Sequence, residues 1–104
     1  MAALNRGEVW LTDLGMAAKV RPGLVLGVPT DPQDRALVCI VPHTTSLHGT
    51  RFEIAVPKPF LKPGAFDAQG LAAVARVKLI RKLGDLQPGE LAQVEAAVRR
   101  WLGL

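Results

Sequence analysis

At 104 residues the chain has room for one domain around one core. A hydrophobic content of 49% against 21% charged residues excludes a disordered chain, and no apolar run approaches the roughly 18 residues that a membrane span requires. A net charge of +4 suits an anionic partner, and equally suits plain solubility. The start MAALNRGEVW lacks a basic stretch followed by an apolar one, so a cytoplasmic protein with no membrane partner is expected. Cys39 has no second cysteine to pair with and lies in the apolar run ALVCIV, where it reads as a buried, inert thiol.

The elements follow one another without repeats or linkers, as a single domain over 1–104. EVWLTDL, 8–14, alternates with period two and predicts a strand with Val9 and Leu11 on one face and Trp10 on the other. RPGLVLGV, 21–28, and RALVCIV, 35–41, flank a turn rich in proline and aspartate and predict two antiparallel neighbours. RFEIAV, 51–56, alternates Phe52, Ile54 and Val56 against polar positions and predicts a strand with one wet face. Two more short strands are expected over 71–75 and 77–82, where glycines and the VKLI alternation outweigh the helix preference of alanine. The C-terminal segment predicts the one helix. Pro88 fits its first position, Glu90 its first turn, Arg99 and Arg100 its last, and Gly103 its end. Leu91, Val94, Val98, Trp101 and Leu102 form its apolar stripe. Together these elements predict a mostly β fold, a small curved antiparallel barrel with a terminal helix against it.

Signatures of zinc sites, Walker loops and nucleophile elbows are missing, and His43 and His48 lack the company a metal site needs, so no metal or cofactor is expected. Polar groups crowd at two strand ends, AKVRP and PHTTSLHGTR. The start of one strand lies beside the end of its antiparallel neighbour, which brings Arg21 near His43, Thr44 and Thr45. A guanidinium and hydroxyls suit binding or cleaving a phosphodiester. The same residues also suit a plainer arrangement, in which Arg21 pairs with Asp13 and the threonines serve the turn. Trp10 and Trp101 fit core packing better than base stacking. Arg76, Lys78 and Lys82 alternate along one face, either solvated or touching an RNA backbone.

RGEVWLTDLG, KVRPGLVL, VPHTTS and a helix introduced by Leu-x-Pro occur in that order over residues 5 to 102, and in this the chain resembles the MazF/PemK toxins of bacterial toxin–antitoxin pairs. The resemblance implies a homodimer with an SH3-like or CcdB-like barrel. It implies metal-independent, sequence-selective cleavage of single-stranded RNA, usually mRNA, and an acidic antitoxin that fills the RNA site. It places the catalytic arginine on Arg21 and the catalytic threonine on Thr44, with Thr45 and Ser46 as RNA contacts. Lys19 stands in a shorter loop before the RP motif than many members have, and replaces some of that loop's contacts. Some members carry an acidic proton acceptor on a later strand, where this chain has Ala75; His43 and Gln69 are the substitutes available. A strand that stays regular through Thr44 points His43 to the opposite face, which favours a structural or RNA-contacting histidine. Two rivals share the architecture, a CcdB-like gyrase-poisoning toxin and a non-catalytic RNA- or protein-binding barrel.

Overall fold

The structure is a computed structural model that describes residues 4–15 and 19–104. Strands β1 (Glu8–Asp13), β2 (Val20–Val25) and β3 (Leu37–Thr44) form an antiparallel meander. The short β4 (Glu53–Ile54) and β5 (Ala65–Asp67) follow, then a 3₁₀ turn, β6 (Ala72–Ala75), a second 3₁₀ turn over Arg76–Lys78, β7 (Leu79–Asp85) and helix α1 (Pro88–Leu102). The sheet runs β4-β5-β3-β2-β1-β7, with β6 also paired to β3. It curves as expected, yet among the described residues the ladder does not close into a full barrel.

Strand β3 is where the sheet divides. Its first half, Leu37 to Ile40, pairs with β6, and its last two residues, His43 and Thr44, pair with β5. The strand thus runs past its expected end at 41, and both His43 and Thr44 become strand residues.

Alternation sends side chains to two separate cores. Val9, Leu24 and Val41 face Val94, Ala97 and Val98 of the helix, while Trp10, Val25, Val38, Ile40 and Leu79 pack on the other side. Both faces are covered, which is why the strands read as nearly continuous apolar runs. The polar end of Trp10 is satisfied from its own strand: its indole N–H donates to the Glu8 carboxylate at 2.9 Å. Burial pushes the Glu8 carboxyl up, but bonds from Trp10, Asn5 and Lys82 outweigh it and hold the group below its usual range.

The helix begins with Pro88 and a capping box in which Gln87 and Glu90 satisfy each other's backbone N–H, and it ends at Gly103, whose φ of 73° suits glycine. Burying Val94 and Val98 contributes about 1.5–3 kcal/mol each. Trp101 and Leu102 depart from the expected stripe, being about half exposed; Trp101 meets the core only through an edge contact with Phe52 at 5.4 Å.

Strand β2 stops at Val25, short of the expected 28, and β3 starts at Leu37, past the expected 35. Two later strands are also shorter or shifted, each for a local reason. RFEIAV keeps Phe52 and Val56 buried, but only Glu53–Ile54 joins a ladder. The Phe52 N–H goes to the Thr50 hydroxyl and the Glu53 N–H to the Thr50 carbonyl at 3.2 Å, so a turn takes the start of the segment, while the Glu53 carboxylate holds the N–H groups of His48, Gly49 and Thr50 ahead of it. The strand expected over 77–82 begins at Leu79 and continues to Asp85, because Arg76–Lys78 winds into a 3₁₀ turn. Cys39 is half-buried rather than buried; burial still raises its thiol pKa, so the sulfur stays protonated.

Candidate active site

The site is assembled by strand register. Thr12 lies opposite Arg21, and Leu11 lies opposite both Pro22 on β2 and Arg81 on β7. On the other flank of β2, Gly23 faces Pro42, and continuing that antiparallel register sets Pro22 opposite His43 and Arg21 opposite Thr44. His43 in turn faces Phe66, and Thr44 faces Ala65. One row therefore reads Arg81, Leu11, Pro22, His43, Phe66 across five strands, and the adjacent row reads Thr12, Arg21, Thr44, Ala65.

At the open end of these rows lies a cleft of about 510 Å³. Leu11, Pro22, Phe60 and Leu83 contribute its apolar surface, Lys19, Arg21, Lys62 and Arg81 its charge, and among the described residues no carboxylate lines it. Four cations around an apolar floor make a site for an anion that also carries an apolar, planar part.

Arg21 is set by this geometry against Thr44. Its Nη1 donates to Thr44 Oγ1 at 3.3 Å, and the same hydroxyl oxygen accepts the Ser46 backbone N–H at 3.0 Å. The turn after β3 thereby orients the hydroxyl, and the hydroxyl helps to hold the guanidinium. Asp13, the other candidate partner, accepts the Gly15 N–H at 2.8 Å within the β1–β2 connection. That connection is closed by the Lys19 N–H on the Gly15 carbonyl at 2.9 Å and the Leu14 N–H on the Lys19 carbonyl at 2.7 Å. Lys19 itself adopts a left-handed φ of 53°, an uncommon conformation for a residue with a Cβ. The shortened loop singled out in the sequence includes residues 16–18, which lie outside the described residues.

His43 and Thr44 point to opposite faces, as a regular strand requires. His43 is only 4% exposed and packs edge-on against Phe66 at 5.1 Å, yet it also borders the cleft with Thr45. Thr44 does not line the cleft directly and reaches it through Arg21. Burial lowers the His43 pKa, so the ring is neutral at pH 7. Since the unfolded chain then takes up this proton before the folded one, the associated stability is intact above about pH 6.5 and is lost as the pH falls below it. Melting temperatures between pH 7.5 and 5 are expected to fall more steeply for the wild type than for His43→Asn; parallel curves would show that the ring does not titrate on folding.

The other residues singled out in the sequence are more dispersed. Ser46 is exposed beside Thr44 and acts there through its N–H. Gln69 is exposed on the first 3₁₀ turn, where its N–H caps onto Asp67 at 3.0 Å, and it does not line the cleft. Arg76 and Lys78 do not line it either. The 3₁₀ turn breaks the period-two alternation that put them on one face with Lys82; Arg76 lies over the Trp10 ring at 5.1 Å and borders a separate groove with Leu37 and Cys39. Lys82 bonds Glu8 and Asp85 at 3.3 and 3.1 Å. Ala75 pairs with Leu37 at the far end of β3 from Thr44, so it does not mark a vacancy in this site. Phe60, Lys62 and Arg81 were not anticipated. Arg81 was recoverable from alternation once β7 starts at Leu79, whereas Phe60 and Lys62 sit in a loop with no periodicity. Among the described residues, no group of three His, Cys, Asp or Glu side chains is placed to hold a metal ion.

A small, curved antiparallel sheet, with a helix across one face and a cationic cleft at its strand ends, is the class of domain these features define. The chain belongs to the PemK-like, MazF-like toxins of type II toxin–antitoxin systems, whose family profile matches residues 5–102. Solved structures of the same fold include an endoribonuclease from a mycobacterial species, 24% identical, with the alignment covering 100% of this chain and 95% of that one at a TM-score of 0.80. A mycobacterial endoribonuclease in complex with its cognate antitoxin is 25% identical, with coverage of 100% and 97% and a TM-score of 0.80. MazF from Deinococcus radiodurans is 23% identical, with coverage of 100% for both chains and a TM-score of 0.81.

Proposed function

We propose that the chain is a sequence-selective endoribonuclease toxin that cleaves single-stranded RNA, mRNA in the cell, without a metal ion. The observation that carries this reading is the Arg21–Thr44 pair at the rim of a cleft that, among the described residues, is lined by four cations and no carboxylate, in a chain of this family. The nucleophile comes from the substrate: a ribose 2′-hydroxyl attacks the adjacent phosphorus, the bond to the 5′-oxygen breaks, and the products end in a 2′,3′-cyclic phosphate and a 5′-hydroxyl. The protein has to align that attack and stabilise the charge that builds on the phosphoryl oxygens. Arg21 supplies a fixed cation with a planar donor fork, and Thr44 supplies an oriented hydroxyl. Lys19, Thr45, Ser46 and the wall residue His43 then guide the strand into the cleft.

An acidic antitoxin matches the same cleft by charge, and a solved relative is named for its complex with an antitoxin. The exposed Val28, Leu37 and Val77 support a homodimer, because β3 pairs Leu37 with Ala75, the Arg76 N–H bonds back to Ala36, and Val28 shares a groove with Leu37, leaving apolar side chains close together on the surface. No helix among the described residues is long and apolar enough to cross a membrane.

The purified chain is expected to cut single-stranded RNA at a short recurring sequence in EDTA, to spare duplex RNA, and to stop when its antitoxin is added. Intact RNA under these conditions, with gyrase inhibition or simple binding instead, would overturn the reading.

A further inference from the structure

Cleavage of the phosphodiester by Arg21 and Thr44 leaves part of the cleft without a role. Phe60, Lys62 and Arg81 line that part. Phe60 comes from the connection between β4 and β5, and its ring is seated directly on the backbone of β7: a Cβ at Gly84 would lie 2.7 Å from Cζ of the ring and 2.8 Å from Cδ2. Any larger residue at 84 would push the ring away. The connection carries Pro57, Pro59 and Pro63, is closed by the Leu61 N–H on the Lys58 carbonyl at 3.0 Å, and is tied to the start of α1 by Lys58 Nζ on Glu90 at 2.6 Å. The ring is therefore in place before any ligand arrives, and little ordering opposes binding. The backbone of Arg81 is placed at the cleft by its register opposite Leu11.

We infer that Phe60, Lys62 and Arg81 form a nucleotide subsite, in which the Phe60 ring stacks on one base of the RNA strand and Lys62 and Arg81 hold the phosphate belonging to it. The inference rests on the RNA-cleaving reading and adds where a base is gripped. The volume of about 510 Å³ lies within the range of roughly 300–1,000 Å³ typical of small-molecule sites, well beyond what a phosphate fills. An acidic peptide would engage the cations and leave the aromatic face and apolar floor without a planar partner. A nucleotide uses both, and an aromatic platform beside cations is the arrangement by which proteins take up unpaired strands.

The test is a cycle of binding measurements on single-stranded RNA carrying 2′-fluoro groups throughout, which removes the internal nucleophile. Replacing one base by an abasic unit is expected to weaken wild-type binding about tenfold at a single position of the recognised sequence. Phe60→Leu should weaken binding of the intact oligonucleotide by a similar factor and abolish the abasic effect, while Phe60→Tyr restores both; because the ring packs on Gly84 and the core, melts of each variant must show it folded at the binding temperature. Lys62→Gln and Arg81→Gln should each reduce the slope of log affinity against log salt by about 0.7, whatever the base. Additive effects of the abasic unit and Phe60→Leu, or a loss confined to antitoxin binding, would overturn the subsite while leaving RNA cleavage by the wild type untouched. A wild type that neither binds nor cuts RNA would overturn the reading beneath it as well.

Discussion

Arg21→Lys is expected to lower RNA cleavage by roughly 100-fold or more while the protein keeps its melting temperature. Lysine preserves the charge but not the planar fork that donates to Thr44 Oγ1 and that, in the proposed reaction, has further donors for a phosphoryl oxygen. Loss of one preorganised donor aimed at transition-state charge costs about 3 kcal/mol or more, which is where the factor comes from. The side chain is half-buried at a strand mouth and fills no core cluster, so the fold should tolerate the exchange. Cleavage rates and melts of the two proteins, measured side by side, decide the matter: a folded Arg21→Lys variant cutting at near the wild-type rate would remove Arg21 from the chemistry.

Gly64→Ala is expected to have the largest effect on the fold. A Cβ at this position would run into the Thr44 carbonyl oxygen and stand 2.9 Å from His43 Cε1, so backbone has to move. Such overpacking costs about 3 kcal/mol, and the displaced strand end is the one that carries Thr44. Gly89→Ala is the contrasting case. Nothing lies within 4 Å of its Cβ position in the first turn of α1, and the exchange should stabilise the protein by about 0.5 kcal/mol through helix preference. Denaturant unfolding of both variants measures the pair; a Gly64→Ala protein as stable as the wild type would show that β5 yields freely beside β3.

Much of this architecture was legible before the structure. Strands β1 to β3 announce themselves through branched residues and turn prolines, and the helix through Pro88, Glu90 and Gly103, because local preference and tertiary packing agree there. Hairpin register brought Arg21 near His43, Thr44 and Thr45 and left a pairing with Asp13 open; the family resemblance is what singled out Arg21 with Thr44. Legibility failed where side chains compete for the backbone or the period changes. Thr50 takes the N–H groups of Phe52 and Glu53 in a turn and cuts the alternating pattern of 51–56 down to the short Glu53–Ile54 ladder. The 3₁₀ turn at 76–78 redirects the basic run, so that Arg81 rather than Arg76 or Lys78 reaches the cleft. Phe60 gains its position from Gly84, on a strand far along the chain, a relation that no local pattern expresses.

The central claim is that Arg21 and Thr44 act on a phosphate attacked by the RNA's own 2′-hydroxyl. The most direct measurement uses one RNA containing the recognised sequence and a second identical except for a single 2′-deoxyribose on the 3′-phosphate side of the cut, each incubated with the purified protein in EDTA and analysed by mass spectrometry of the ends. The account predicts a 2′,3′-cyclic phosphate and a 5′-hydroxyl from the first RNA and no cut at that link in the second. Cleavage of the deoxy-substituted link at an undiminished rate would contradict it, since the nucleophile would then have to come from water or the protein.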